Sequence, residues 1–174
     1  MGLRGATFLI LFLAAGCRPA RPGESRQVIP ELTMDGVHFR VDRGGVTAAS
    51  GEAERLTYRR DTTDVVASNL AMDLVTATGP VRVTAPAGSG NLGNRQFRAT
   101  GGIRAIRGSD VAETPSATSS PGSDGRIAIH GSEAVQVEGP GYRLTGIGFD
   151  IDPATGDLAI RGKPRLVTGL GTRP

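Results

Sequence analysis

The sequence predicts an all-β protein assembled from repeated strand–turn–strand units, and three observations carry that prediction. The 174 residues include 26 Gly and 11 Pro, which break long helices and suit strands joined by turns. From Pro30 onward apolar residues recur at every second position, the period that lines one face of a strand. Clusters of Gly, Asp, Asn and Pro punctuate these runs at roughly 30-residue intervals, the spacing of stacked supersecondary units.

The chain opens differently. Arg4 precedes a ten-residue apolar run, Ala6 to Ala15. That is too short to span a bilayer, which needs about 20 helical residues, but it matches the hydrophobic region of a signal peptide. Leu13-Ala14-Ala15-Gly16-Cys17 follows, with small residues before the only Cys of the chain. This is a lipobox pattern: the peptidase pocket admits small side chains, and the thiol accepts the diacylglycerol. Residues 1–16 are therefore expected to be a lipoprotein signal peptide and Cys17 the lipid anchor. Residues 17–29, rich in Pro, Arg and Gly, are expected to tether the domain to the membrane.

The domain is expected over residues 30–170. Val37, Phe39 and Val41 alternate with polar neighbours to make the first strand. Leu56 and Tyr58 follow, then Leu70, Met72 and Leu74, then Val81 and Val83, each run with period two. Phe97 and Ala99, Ile103 and Ala105, Ile127 and Ile129, and Val135 and Val137 continue the pattern. Ile147, Phe149 and Ile151, and finally Leu158 and Ile160, complete it. Turns are expected at Arg60 to Asp64, at Gly93–Asn94, at Pro121 to Gly125 and at Asp152 to Asp157. Gly101–Gly102, Gly131 and Gly162 mark corners where a strand bends and a Cβ would interfere. Each repeat thus reads as strand, turn, second strand, corner and third strand. Glu113 to Gly125, with two Pro and few apolar residues, is expected to be a frayed edge strand with a mobile loop.

Composition narrows the function. Twenty Lys and Arg against 17 Asp and Glu leave a net charge of +3, and the Arg residues are scattered. No basic stripe or reading motif for nucleic acid is present. One Cys excludes an intramolecular disulfide framework, and His38 and His130 are the only histidines. Asp61, Asp64, Asp150, Asp152 and Asp157 lie in or beside turns, where Asp commonly bonds its own backbone. The stretch DIDPATGD lacks the spaced ligands of a calcium loop. No enzyme activity, metal or cofactor is expected.

The stretches ELTMDGVHFRV, AERLTYRRDTTDVVAS, VRVTAP, QFRATGGIRA, VQVEGPGYRLTG and FDIDPATGDLAIRG resemble the LptC/LptA (OstA-like) family of lipopolysaccharide export proteins, over roughly residues 30–168. An opening strand that leads directly from a membrane anchor looks more like LptC than LptA. The resemblance implies a twisted β-jellyroll, two antiparallel sheets forming an open V-shaped trough that shelters acyl chains. It also implies the partners. Lipopolysaccharide would arrive from an inner-membrane ABC transporter and pass to an LptA-like periplasmic protein. The location would be the periplasmic face of the envelope, on the inner membrane in preference to the outer. Known LptC members keep a transmembrane helix, for which the lipid on Cys17 would substitute here.

A sliding amphiphile needs smooth aliphatic walls, which the inward positions of a period-two sheet supply. Candidates for those inner, ligand-binding positions are Val37, Phe39, Val41, Tyr58, Met72, Leu74, Phe97, Ile103, Val135, Tyr142, Phe149, Leu158 and Ile160. Plain core packing would use the same alternation. Open sheet edges invite strand addition. The first strand, Leu32 to Val41, would face the transporter, and Arg165, Leu166, Val167 and Thr168 would pair with the next jellyroll. The alternative function is a structural or scaffolding envelope lipoprotein that assembles through those edges.

Overall fold

The computed structural model describes residues 31–122 and 126–169. The signal peptide, Cys17 and the tether lie outside the described residues. Nine strands follow one another: β1 (Leu32–Arg43), β2 (Val46–Arg59), β3 (Asp64–Thr76), β4 (Gly79–Asn91), β5 (Gln96–Arg107), β6 (Asp110–Pro121), β7 (Ile127–Gly139), β8 (Tyr142–Asp152) and β9 (Asp157–Thr168). Each pairs antiparallel with the next in one open sheet of order β1 to β9. The all-β expectation holds, and so does the expected plan of hairpins repeated along the chain.

The two ends of the sheet use different turns. At one end the links have two residues, as in Gly44–Gly45, which take φ of 59° and 81°. The other end has four-residue turns, Arg60–Thr63, Leu92–Arg95 and Pro153–Gly156, and these set the repeat seen in the sequence. Asn91 joins two of them. Its amide nitrogen donates to Thr62 O (2.6 Å) and Asp64 Oδ1 (2.8 Å). Its oxygen accepts from Thr63 Oγ1 (3.0 Å), Gly93 N (2.9 Å) and Asn94 N (3.0 Å). Thr63 is held at φ 60°, costly for a β-branched residue.

Asn91→Ala would leave these groups unmatched, and a loss of about 1.5–3 kcal/mol in urea unfolding is expected; an unchanged midpoint would show that the turns hold without it. The Thr62 hydroxyl, then the Asn91 amide, holds the Asp64 carboxyl below its ordinary range. The folded state therefore favours ionised Asp64. That contribution is present above the usual carboxylate range and is lost as pH falls through the lowered value.

A line of pairing breaks crosses the middle of every strand. The β1–β2 ladder skips Gly36 and Glu54, the β2–β3 ladder skips Glu54 and Asn69, and the β3–β4 ladder skips Asn69 and Pro86. The register then shifts at Gly101–Gly102 in β5, around Pro115 in β6, at Ser132–Glu133 in β7 and beside Gly146 in β8. Gly36, Asn69, Gly101, Gly102, Gly148 and Lys163 have positive φ along this line. Where one residue of each strand leaves the ladder with no register shift, as at Gly36, Glu54 and Asn69, the alternation reverses, and in β5, β7 and β9 an extra residue bends the strand and restores its parity. Thus Leu32 and Met34 precede the crease in one parity, and Val37, Phe39 and Val41 follow it in the other. The apolar side stays the same while the sheet folds into two arms. Val135 and Val137 from one arm form a buried cluster with Phe149 from the other, with Leu144, Ile151 and Leu158 packed against it.

Three expectations are corrected. The corners do not end strands: β5 runs through Gly101–Gly102, so the strands are 11–14 residues long instead of short. The segment from Glu113 is not a frayed edge, because β6 is an interior strand paired with both β5 and β7. Pro115 is tolerated there since it falls in the crease, where the ladder is already broken. The two sheets of the expected trough are two arms of one creased sheet.

Candidate functional site

The inner face is built from register. On one arm a single row runs Phe39, Gly51, Met72, Val83, Ala105, Ala112, Val137, Leu144, Leu166, one residue from each of the nine strands. On the other arm the row is Leu32, Tyr58, Val65, Gly90, Phe97, Ser119, Ile129, Ile151, Leu158. The first row carries no polar side chain; Ser119 and the Tyr58 hydroxyl are the polar groups of the second. The reverse faces carry ion pairs among scattered exposed apolar residues such as Val66 and Val75. Arg82 pairs there with Asp73 (3.2 Å) and Glu52 (4.0 Å), Arg104 with Glu113 (3.5 Å) and Arg161 with Asp150 (3.2 Å). These pairs are about half exposed and contribute little stability each.

The sequence-predicted residues all fall on the apolar side, at different depths. Ile103 (7% exposed), Val135 (5%) and Phe149 (2%) are buried. Val37, Phe39, Tyr58, Met72, Leu74, Tyr142, Leu158 and Ile160 are half-buried. Val41 and Phe97 are exposed, at 49% and 37%. Leu56, Val65, Leu70, Val83, Val137 and Leu144 belong to the same surface and were not among the site candidates. Cross-strand register identifies them, and a single run of sequence does not contain it.

Large inner side chains lie flat on glycines of the neighbouring strand. A Cβ at Gly51 would stand 2.7 Å from the Phe39 ring. Gly88 is covered by Leu70, Gly90 by Phe97, Gly131 by Phe149, Gly139 by Tyr142 and Gly146 by Ile160. The small residue lets the ring or branch rest on the sheet instead of projecting from it, so the floor stays smooth.

One end of the apolar side carries polar groups. Arg107 and Asp110 approach to 3.8 Å. Burial first, then a hydrogen bond with Asp110, raises the Tyr142 hydroxyl above its ordinary value. Gly156, in the β8–β9 turn, packs against Thr78 in the β3–β4 turn, where a Cβ would be 2.8 Å from Thr78 Oγ1 and 3.1 Å from the Arg107 guanidinium. The tips of the two arms meet here.

Elsewhere the carboxylates serve their turns. Asp61 accepts from Thr62 N (3.0 Å), and Asp152 from Ala154 N (2.8 Å) and Arg126 (2.9 Å). Among the described residues, no three His, Cys, Asp or Glu are grouped to hold a metal, and no helix is long and apolar enough to cross a membrane. Arg165, Leu166, Val167 and Thr168 lie in β9, which pairs with β8 alone and forms one edge of the sheet; β1 forms the other. Compared with known proteins, the chain matches no family model, and no curated protein matches it significantly.

Proposed function

We propose that the protein is a non-enzymatic lipid-transfer component of lipopolysaccharide export. In this reading it is held to the periplasmic face of a membrane by lipid on Cys17. It accepts lipopolysaccharide from an inner-membrane ABC transporter and passes it to an LptA-like protein. The single observation that supports this most is the apolar row that crosses all nine strands without a polar side chain. Each methylene covered on such a surface gains about 0.8 kcal/mol, and a smooth floor gives no preferred stopping point. The open edges at β1 and β9 suit hand-over by strand addition on either side.

Photo-crosslinking probes at Phe39 and Phe97 in cells test the reading. Adducts to lipopolysaccharide that depend on ATP are expected at both. A folded protein with no adduct at either position would favour the scaffolding lipoprotein instead.

A further inference from the structure

We infer that the β8–β9 turn is a strap across the open side of the trough, seated on the β3–β4 link, and that it lifts to let a bulky headgroup travel from β1 towards β9. The inference rests on the lipid-transfer reading and adds a gate to it.

Among the described residues the backbone of each strand approaches only its sequence neighbours, so the ladders alone do not fix the angle between the arms. At the crease the arms are joined by the buried cluster of Val135, Val137 and Phe149. At the tips they are joined by Gly156, which comes so close to Thr78 and Arg107 that a Cβ would stand 2.8 Å from Thr78 Oγ1 and 3.1 Å from Arg107 Nη1. The β3–β4 link and the β8–β9 turn belong to opposite ends of the strands and to well-separated parts of the sheet. Their meeting therefore crosses the open side obliquely. Acyl chains lying inside pass beneath it, and a headgroup standing outside does not.

The strap is rigid and its seat is weak. Gly156 N donates to Asp152 O (2.7 Å), Ala154 N to Asp152 Oδ1 (2.8 Å) and Thr155 Oγ1 to Asp157 Oδ2 (2.8 Å), so the turn holds its own shape. The seat is looser: Arg107 Nη1 donates to Thr78 Oγ1 at 3.4 Å and stands 3.8 Å from Asp110, on an exposed rim. Gly156 reaches it at φ 80° with no side chain to bury. A contact of one glycine on two polar side chains is small beside the Phe149 cluster, so the tip is the end that opens and the crease the end that turns. Gly148 (φ 70°) and Lys163 (φ 49°) stand at the crease of the two strands that carry the strap, where a few residues can absorb the rotation.

The motion is tested without lipid, on the full chain with Cys17→Ser. Nitroxide labels on Val75→Cys and Ala154→Cys, exposed positions beside the two tips, report their separation by pulsed electron paramagnetic resonance. A short and a longer distance are expected. Gly156→Ala, which sets a Cβ against the seat, should raise the open-to-closed ratio about tenfold, and adding Thr78→Ala should bring most of it back. One unchanged distance in all three chains would overturn the inference. The gate is tested in cells with Thr78→Cys and Gly156→Cys. The 2.8 Å from Thr78 Oγ1 to a Cβ at Gly156 is close to the about 3 Å between a Cβ and the far sulfur of a disulfide, so an oxidising compartment should close the bond. ATP-dependent lipopolysaccharide adducts from a probe at Phe39 in β1 should then persist, and those from a probe at Leu166 in β9 should fall about tenfold until the bond is reduced. Equal adducts at Leu166 with the bond open and closed would overturn the gate and leave the export reading standing. No ATP-dependent adduct at Phe39 in any form would remove that reading, and the spin-label distances would decide the strap by themselves.

Discussion

Phe149→Ala is expected to cost about 3–5 kcal/mol, the largest single loss among the described residues, because it empties the buried cluster in which both arms meet. Phe149 is 2% exposed, the least exposed large side chain among the described residues. Its ring rests on Gly131 and touches a cluster with Val135 and Val137. Small domains keep a margin of only about 5–15 kcal/mol, so this loss removes a large part of it. Little can collapse into the space, since the glycine beneath has no side chain to move. Equilibrium urea unfolding followed by circular dichroism measures the loss, and a change below about 1 kcal/mol would mean the arms are not held together at this point. Met72→Ala is the companion measurement. Met72 is half-buried, so its truncation is expected to cost clearly less than the 2–5 kcal/mol usual for a buried site.

Gly102→Ala and Gly101→Ala are expected to cost about 1–3 kcal/mol each, for different reasons. Gly102 has φ 98° and no atom within 4 Å of an added Cβ, so its substitution reports backbone strain alone. Gly101, at φ 90°, would also bring a Cβ to 3.1 Å from Pro86 of the neighbouring strand, and its loss should be the greater of the two. Both hold the crease in β5, and the double variant should approach the sum unless the bend relaxes. Gly108 is the control: at φ 58° in a two-residue turn, with open space around it, Gly108→Ala should cost about 1–2 kcal/mol. Calorimetric midpoints for the four variants check the order. A double variant as stable as the parent would show that the crease does not depend on these glycines.

The crease also explains which expectations survived. Val37, Phe39 and Val41, or Leu70, Met72 and Leu74, could be read directly, because alternation within a half-strand is a local property. The reversal of parity at Asn69 shows in the sequence only as a phase slip between runs, which reads as a corner between two strands, and Leu32 to Val41 reads as one strand with no sign of the reversal at Gly36. Pro115 misled in the same way. A proline among Ser and Thr looks like an edge strand, yet Pro115 stands where the neighbouring ladders have already parted. Tight links such as Gly108–Ser109 give a weaker signal in the sequence than Asp152 to Asp157.

Local pattern was therefore enough for the all-β class, the placement of the wide turns and the side of each strand that is apolar, since all three depend on neighbours a few residues away. Which inner residues are buried depends on contacts made across the crease between neighbouring strands. Met72 and Phe149 have the same alternating surroundings in the chain. Phe149 is buried because β7 and β8 bring Val135 and Val137 against it across the crease, and Met72, outside that cluster, is half-buried. Burial is a property of contacts made through space, and alternation records only the side from which they come.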